Sequence, residues 1–378
     1  MPSDQSDLGP VDALGQPPAS ERRLDVIVPS YNRPARLDGL LRSGLALGIP
    51  GMYFFVVDDC STETEEVPGL GQVSTAEVCR SMADPRVIYM RNPENIGVAR
   101  SWVHYYRDHC RARYTLSVTD KDEFIDPTPI VNALDKMDAD ETISMTVMPL
   151  RQRDRGMDDR DLSFDYARMS GREYLATYAT DATLMHCTMW SVIRVDAIRR
   201  AAVPRPLQLH RYGLDDGFGI DIDFVFMVAT TGDVDFEQKA HVRRSTLEGG
   251  TERYPLTFAY TYYQYAKRAM RELGRRDFVS EETVRQYMGW WLLLILRGLR
   301  VAYRPVHGTE LEPGTGRIRR HLRIPIHLHV LLEGFRYRVV PTKEMVDLYK
   351  DTARIMVGDW AMEKLPGLRA ALSREKSG

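Results

Sequence analysis

The stretch "LSVTDKDEFIDP", residues 116–127, leaves an apolar run and then places four acidic side chains, Asp120, Asp122, Glu123 and Asp126, within seven positions. Carboxylates this close raise one another's pKa unless a cation or solvent separates them. Lys121 is the one offsetting charge inside the cluster. The chemistry open to such a cluster is the holding of a divalent cation. The plainer alternative is a solvated turn after a strand. Other apolar runs end in polar groups too: Ser30 and Tyr31 after one, Asp58 and Asp59 after a second, Asn95 after a third.

Those endings belong to elements that can be read locally. Residues 24–30, "LDVIVPS", form a β-branched run closed by Pro29, and "MYFFVVDDCS", "RVIYMRN" and "RYTLSVTDKDE" are further apolar runs. Such runs predict buried strands. Between them, "ARLDGLLRSGLAL" and "NIGVARSWVHYYRDHC" carry helical spacing. Alternating apolar strands and helices predict an α/β protein with a mostly parallel sheet covered on both faces. Ligands of such sheets sit beyond the carboxyl ends of the strands, so the four polar endings converge on one crevice. Further on, "TISMTVMPLRQR" (142–153) reads as another strand and 154–166 as an acid-rich loop. "TLMHCTMWSVIRVDAIRRAAV" reads as a strand then a helix, and "YGLDDGFGIDIDFVFMVATTG" as a glycine-rich loop entering an apolar helix. From residue 250 the pattern is helical and aromatic, with Ser280 as an N-cap. The expected division is a disordered tail over 1–23, a catalytic domain over 24–250 and a mainly helical region over 251–378.

The bulk numbers exclude some functions. A chain of 378 residues with 43% hydrophobic and 28% charged residues is ordinary for a soluble globular protein. A net charge of −2 supplies no global field for nucleic acid, which is not an expected partner. Cys60, Cys79, Cys110 and Cys187 lie far apart without a CxxC, which fits a reducing compartment. The first 23 residues lack an apolar targeting core, and Arg297 and Arg300 interrupt the most apolar stretch, "MGWWLLLILRGLRVAY" (288–303). The expectation is a cytoplasmic protein.

The segments "VIVPSYNRPARL", "FFVVDDCST", "RNPENIGVARSW", "SVTDKDEF", "LMHCTMWSVIRVDAI" and "GIDIDFVFMVATTG", in this order over 24–246, resemble the inverting glycosyltransferases of family 2 with the GT-A fold. The C-terminal third is not covered. The resemblance implies a nucleotide-sugar in the crevice, a UDP- or dTDP-sugar, with Pro29, Ser30 and Tyr31 bordering the nucleotide and the Tyr31 ring stacking on the base. It implies that Asp59 accepts from the base N–H, which favours uracil or thymine, and that Asn95 and Arg100 contact base or phosphate. Asp120-Lys121-Asp122 is similar to the family's DXD element, which borders the nucleotide and holds a divalent cation, Mn²⁺ or Mg²⁺, against the diphosphate. Lys121 departs from the commoner small or acidic residue there. His241, Arg243 and Arg244 stand where family members close a loop over the diphosphate. Asp221 falls on the general base, with Ile220 in place of the family's Glu. Burial among Phe218, Ile220 and Ile222 would raise its pKa toward that task. Asp215, Asp216 and Asp223 are its rivals.

Other features weigh less. On a strand His186 and Cys187 would face opposite sides, against a nucleophile pair. His327 and His329 share a strand face but lack a third ligand. A nucleotidyltransferase would want a glycine- and lysine-rich loop where "PSYNRPARL" stands, and a degenerate, non-catalytic GT-A module is kept open by Lys121 and Ile220. The acceptor stays open among polysaccharide, lipid carrier, protein and small metabolite. Residues 251–378 would serve the acceptor side or an oligomer interface. The apolar 288–303 needs cover, from its own core, a second copy in a homodimer, or peripheral contact with an anionic membrane helped by "RIRRHLR" (317–323).

Overall fold

A computed structural model describes residues 21–153, 159–201, 220–245, 255–303, 330, 332–339 and 341–350. The chain divides into two compact units, one of Met1–Gln208, Asp216–Glu248 and Arg275–Val279, the other of Leu209–Asp215, Gly249–Gly274 and Ser280–Gly378.

The first unit holds strands β1 (Leu24–Ser30), β2 (Met52–Asp58), β3 (Thr64–Val67), β4 (Gly71–Ser74), β5 (Val87–Arg91), β6 (Tyr114–Ser117) and β7 (Asp122–Phe124). It continues with β8 (Ile143–Val147), β9 (Leu150–Arg153), β10 (Arg160–Leu162), β11 (Met169–Ser170), β12 (Val192–Arg194), β13 (Asp233–Phe236) and β14 (Val242–Ser245). Its helices are α1 (Pro34–Ala46), α2 (Thr75–Ser81), α3 (Val98–His104), α4 (Thr128–Ala139), α5 (Gly171–Tyr178), α6 (Ala182–Cys187), α7 (Val195–Ala201) and α8 (Ile220–Ala229). Eight strands make one sheet in the order β11-β13-β8-β12-β6-β1-β2-β5. Strands β6, β1, β2 and β5 run parallel, and β12 is inverted between β6 and β8. A second sheet has the order β10-β9-β14-β7.

Local chemistry explains the elements that frame the crevice. Strands β1 and β2 are apolar along nearly their whole length and almost entirely buried. Helix α1 opens on Pro34, where a missing N–H costs no helical bond. Helices α2 and α5 each begin with a capping box, Ser74 with Glu77 and Ser170 with Glu173. At Gly171 a Cβ would stand 1.7 Å from the Ala229 carbonyl oxygen, so only glycine lets α5 approach the end of α8 this closely.

Several expected elements are revised. The strand expected through "RYTLSVTDKDE" stops at Ser117, with Val118 N–H still donating to the Ile27 carbonyl, and Asp122–Phe124 then pairs with β14 in the second sheet. The strand expected over 142–153 divides likewise, into β8 and β9 in different sheets. "TLMHCT" is helical, its start capped by the Asp181 carboxylate accepting from Thr183 N–H at 2.6 Å. Arg22 and Arg23, expected in the tail, are anchored: Arg22 pairs with buried Asp25, and Arg23 with Asp135 and Asp138. Asp25 also accepts from the Tyr105 hydroxyl at 3.0 Å and from the N–H groups of Arg111 and Ala112 at 3.2 and 3.1 Å. Tyr105 opens a π-helical turn, Tyr105–His109, that continues α3.

The second unit contains α9 (Pro255–Arg275) and α10 (Glu281–Tyr303). Ser280 caps α10, its hydroxyl accepting from Thr283 N–H at 3.1 Å. Tyr287, Met288, Leu292, Ile295 and Leu296 are buried, and Trp291 stacks on Tyr262 with ring centroids 5.4 Å apart. Among the described residues no helix is long and apolar enough to cross a membrane. The stretch 317–323 and His327 and His329 lie outside the described residues.

Candidate functional site

The loops after β1, β2 and β5 are tied to one another by backbone and carboxylate. Asp59 N–H donates to the Ser30 carbonyl at 2.9 Å, and Asn92 N–H to the Asp58 carbonyl at 2.8 Å. Pro29 is half-buried, Ser30 is buried, and Tyr31 is 46% exposed beside them, an aromatic face offered at the end of β1. Asn32 takes a left-handed backbone, φ 54°, and its Oδ1 accepts from Thr62 and Glu63 N–H at 2.8 and 3.1 Å. The side chain thereby ties the loop after β1 to the loop after β2.

Both carboxylates at the end of β2 are engaged. Asp58 accepts from Tyr89 Oη at 2.5 Å and from Ser61 N–H at 2.9 Å. Asp59 Oδ1 accepts from Asn92 Nδ2, Ile96 N–H and Ser101 Oγ at 2.8, 2.9 and 3.3 Å, and Oδ2 from Gly97 N–H at 2.8 Å. Asp59 thus organises the 92–97 loop, and Oδ2, with one donor, is the oxygen with acceptor capacity left. Asn95 is exposed and its Oδ1 accepts from Gly97 N–H at 3.2 Å; Arg100 is exposed on α3.

The acidic element bridges the two sheets. Asp120, 7% exposed, lies 3.4 Å from the Arg33 guanidinium at the start of α1. Burial pushes its carboxyl pKa up, while Arg33, Lys121 and Arg36 pull it back. Burial pushes the Lys121 ammonium pKa down and Arg33 adds to that, with Asp120 opposing. Asp122 is buried; its Oδ2 accepts from Thr119 N–H, Thr119 Oγ and Trp190 Nε1 at 2.7, 3.1 and 2.7 Å. Its Oδ1 is buried without a hydrogen-bond partner among the described residues. Burial raises the Asp122 carboxyl, with Arg244 the largest opposing influence. Arg244 faces Asp122 across the β14–β7 ladder.

Hard carboxylate oxygens, one of them unsatisfied, suit Mn²⁺ or Mg²⁺, which take oxygen ligands and commonly leave positions for substrate phosphates. Among the described residues there is no group of three or more His, Cys, Asp or Glu side chains placed to hold a metal ion. A two-carboxylate arrangement therefore relies on phosphate and water for its remaining ligands.

Two members of the expected diphosphate loop are placed otherwise. His241 is fully buried, its Nδ1 faces the Pro149 carbonyl at 3.3 Å, and burial pushes its pKa down to about 3. It is a neutral packing residue, and its ring is not presented to a crevice. Arg243 is committed to Glu123 at 2.9 Å and Asp159 at 2.8 Å. Of the three, Arg244 is the one that stands opposite Asp122. Asp221 sits in the first turn of α8, and its side chain and that of Asp223 lie outside the described residues, as do Asp215, Asp216 and Phe218. The HCT segment is on a helix; its Cys187 is buried, with the thiol pKa pushed up to about 12, no reactive nucleophile.

Sequence reasoning missed Arg33, Thr119, Asn32 and Trp190. Arg33 had a signal, a basic residue directly after the strand-end "SYN". Trp190 had none, because its partner stands 68 positions away. A separate cavity of about 700 Å³ lies at the opposite, amino-terminal end of β1 and β6. It is rich in arginine, but Arg22, Arg23 and Arg194 there are held by Asp25, by Asp135 and Asp138, and by backbone carbonyls.

A mostly parallel sheet with a second small sheet, and an acidic element crossing between them beside the β1 and β2 loops, is the arrangement of a GT-A nucleotide-sugar fold. Residues 25–200 match glycosyl transferase family 2. Among solved structures the chain is similar to S. aureus TarS 1-349, at 13% identity over 87% of this chain and 90% of that one, TM-score 0.53. It is similar to the same fragment in complex with UDP-GlcNAc, at 12% identity over 87% and 90%, TM-score 0.54. Against the longer S. aureus TarS chain, at 12% identity and TM-score 0.53, the match covers 87% of this chain and 54% of that one. At these identities the likeness is one of fold. No curated protein sequence matches this chain.

Proposed function

We propose that this protein transfers a sugar from a UDP- or dTDP-sugar to an acceptor hydroxyl or amine with inversion at the anomeric carbon, assisted by Mn²⁺ or Mg²⁺. The observation carrying the reading is the Asp120–Asp122 pair held between two sheets, next to cationic Arg33, Lys121 and Arg244, within a family 2 domain. Tyr31 stacks on the base and Asp59 Oδ2 accepts its N–H. Asp120 and Asp122 Oδ1 hold the cation. When bound, the cation supplies Lewis-acid stabilisation of charge building on the departing diphosphate. Lys121 and Arg244 add fixed positive charge on the same side.

Asp221 is the general base. The acceptor heteroatom attacks the anomeric carbon opposite the diphosphate, the carbon–oxygen bond to the diphosphate breaks, and the acceptor proton passes to the Asp221 carboxylate. The products are the inverted glycoside and the nucleoside diphosphate. Asp221→Asn is expected to abolish turnover while donor binding, measured by calorimetry, stays at the parental level. Asp122→Ala is expected to weaken Mn²⁺-dependent binding of UDP. Parental turnover in both variants would refute the assignment. A screen of UDP-, dTDP- and GDP-sugars with and without Mn²⁺ tests the base preference, since a preference for GDP would remove the role given to Asp59.

A further inference from the structure

Trp190 closes a short 3₁₀ turn, Thr188–Trp190, before the inverted strand β12, and it is 1% exposed. The turn is fixed on both sides: the Tyr174 and Thr188 hydroxyls bond at 3.0 Å, and the Ser191 hydroxyl donates to the Thr188 carbonyl at 2.8 Å. A buried indole N–H needs an acceptor, and this one finds Asp122 Oδ2 at 2.7 Å. With two donors from Thr119 on the same oxygen, Oδ2 is saturated and Oδ1 is left as the ligating atom. The face of the ring has a second task. The Arg244 guanidinium carbon lies 4.6 Å from the Trp190 ring centroid, within the range of a cation–π contact.

From this geometry we propose that Trp190 is a positioning residue with two outputs: its N–H aims Asp122 Oδ1 at the cation, and its ring seats Arg244 toward the diphosphate. The inference rests on the reading of Asp122 as a cation ligand. Hydrogen bonds to a ligating carboxylate orient it, and removing such a partner costs about 10- to 100-fold in metal affinity. Trp190→Phe keeps the ring and deletes the donor; Trp190→Leu deletes both.

The test is calorimetry of UDP binding to the full chain with and without MnCl₂, for Trp190→Phe, Trp190→Leu and Asp122→Ala, with melting temperatures recorded. Trp190→Phe is expected to lose about 10- to 100-fold in Mn²⁺-supported affinity with its metal-free affinity unchanged. Trp190→Leu is expected to lose, in addition, about 3- to 30-fold in metal-free affinity, because Arg244 has no platform. If Trp190→Phe does not fold, Thr119→Val, which removes one donor to the same oxygen, is expected to show the Mn²⁺-specific loss at reduced size. Parental Mn²⁺-supported affinity in Trp190→Phe, or in Thr119→Val where it stands in, with the effect lost in Asp122→Ala, would overturn the role of Trp190 and leave the cation reading standing. Parental behaviour in Asp122→Ala would overturn the cation reading and this inference together.

Discussion

His241 carries an imidazole whose protonation the fold opposes by burial. Its ring is completely buried, Nδ1 faces the Pro149 carbonyl, Nε2 has no hydrogen-bond partner among the described residues, and its pKa is pushed down to about 3 by burial. In the unfolded chain the imidazole titrates near 6.5. Below that pH the unfolded state takes up a proton that the folded state refuses, so stability falls as pH drops from about 6.5 toward about 3. Each pH unit in that window costs about 1.4 kcal/mol, giving about 2 kcal/mol at pH 5 and nearly nothing at pH 7.5.

The perturbation is His241→Gln, which keeps a polar group of similar reach but cannot titrate. Urea unfolding at pH 7.5 and at pH 5.0 measures parent and variant. At pH 7.5 the variant is expected to be the less stable, having lost a fitted ring. The parent should then lose about 2 kcal/mol more than the variant on going to pH 5.0. An equal loss in both would refute the buried-neutral account. A variant with parental stability but UDP affinity down tenfold at pH 7.5 would restore His241 to the diphosphate loop.

Two further substitutions probe the frame of the crevice. Asp25→Ala leaves the Arg22 guanidinium, 1% exposed, without its carboxylate and strands the Tyr105 hydroxyl, and is expected to cost about 3–5 kcal/mol in urea unfolding; a cost below about 1 kcal/mol would deny the network its structural role. Gly97 has φ 83° and open space where a Cβ would stand, so Gly97→Ala isolates backbone strain of about 1–3 kcal/mol in the loop that Asp59 holds. Weakened UDP binding on calorimetry, with a melting temperature a few degrees lower, is the expected result.

What the sequence made legible follows the range of the interactions involved. Leu24–Ser30, Met52–Asp58 and the helix after Pro34 are specified by adjacent residues, β-branched runs and a proline that can only start a helix. The acidic element was visible for the same reason. The break after Ser117 was not, because it depends on Ile125 N–H finding the His241 carbonyl at 2.9 Å and on the pairing of Asp122–Phe124 with residues 242–244, over a hundred positions later. Burial of His241 depends on that same distant pairing. The helix at Ala182–Cys187 carried a readable cap in Asp181, but its β-branched and aromatic continuation outweighed the cap in a local reading. The Ser74–Glu77 capping box is a local mark for the start of α2 within the segment 64–81.

The charge balance of the acidic element bears on why a lysine stands inside it. Burial pushes the Asp120 and Asp122 carboxyls up and the Lys121 ammonium down, so each disfavours its own charge when alone. Arg33 at 3.4 Å from Asp120, and Arg244 across the ladder from Asp122, oppose that upward push and favour the ionised carboxylates. On the proposed reading, donor and cation arrive as an oppositely charged pair and exchange partners with this set. The two carboxylates would hold the cation, and the arginines and Lys121 would face the diphosphate. The exchange adds little net charge to a partly desolvated site, which avoids the solvation cost of a purely acidic cluster or a purely basic one. A lysine between the two aspartates is then a matched component of the site, and Lys121→Ala is expected to weaken metal-free UDP binding in calorimetry more than it weakens the Mn²⁺ increment. The reverse pattern would show that Lys121 acts only by competing with the cation.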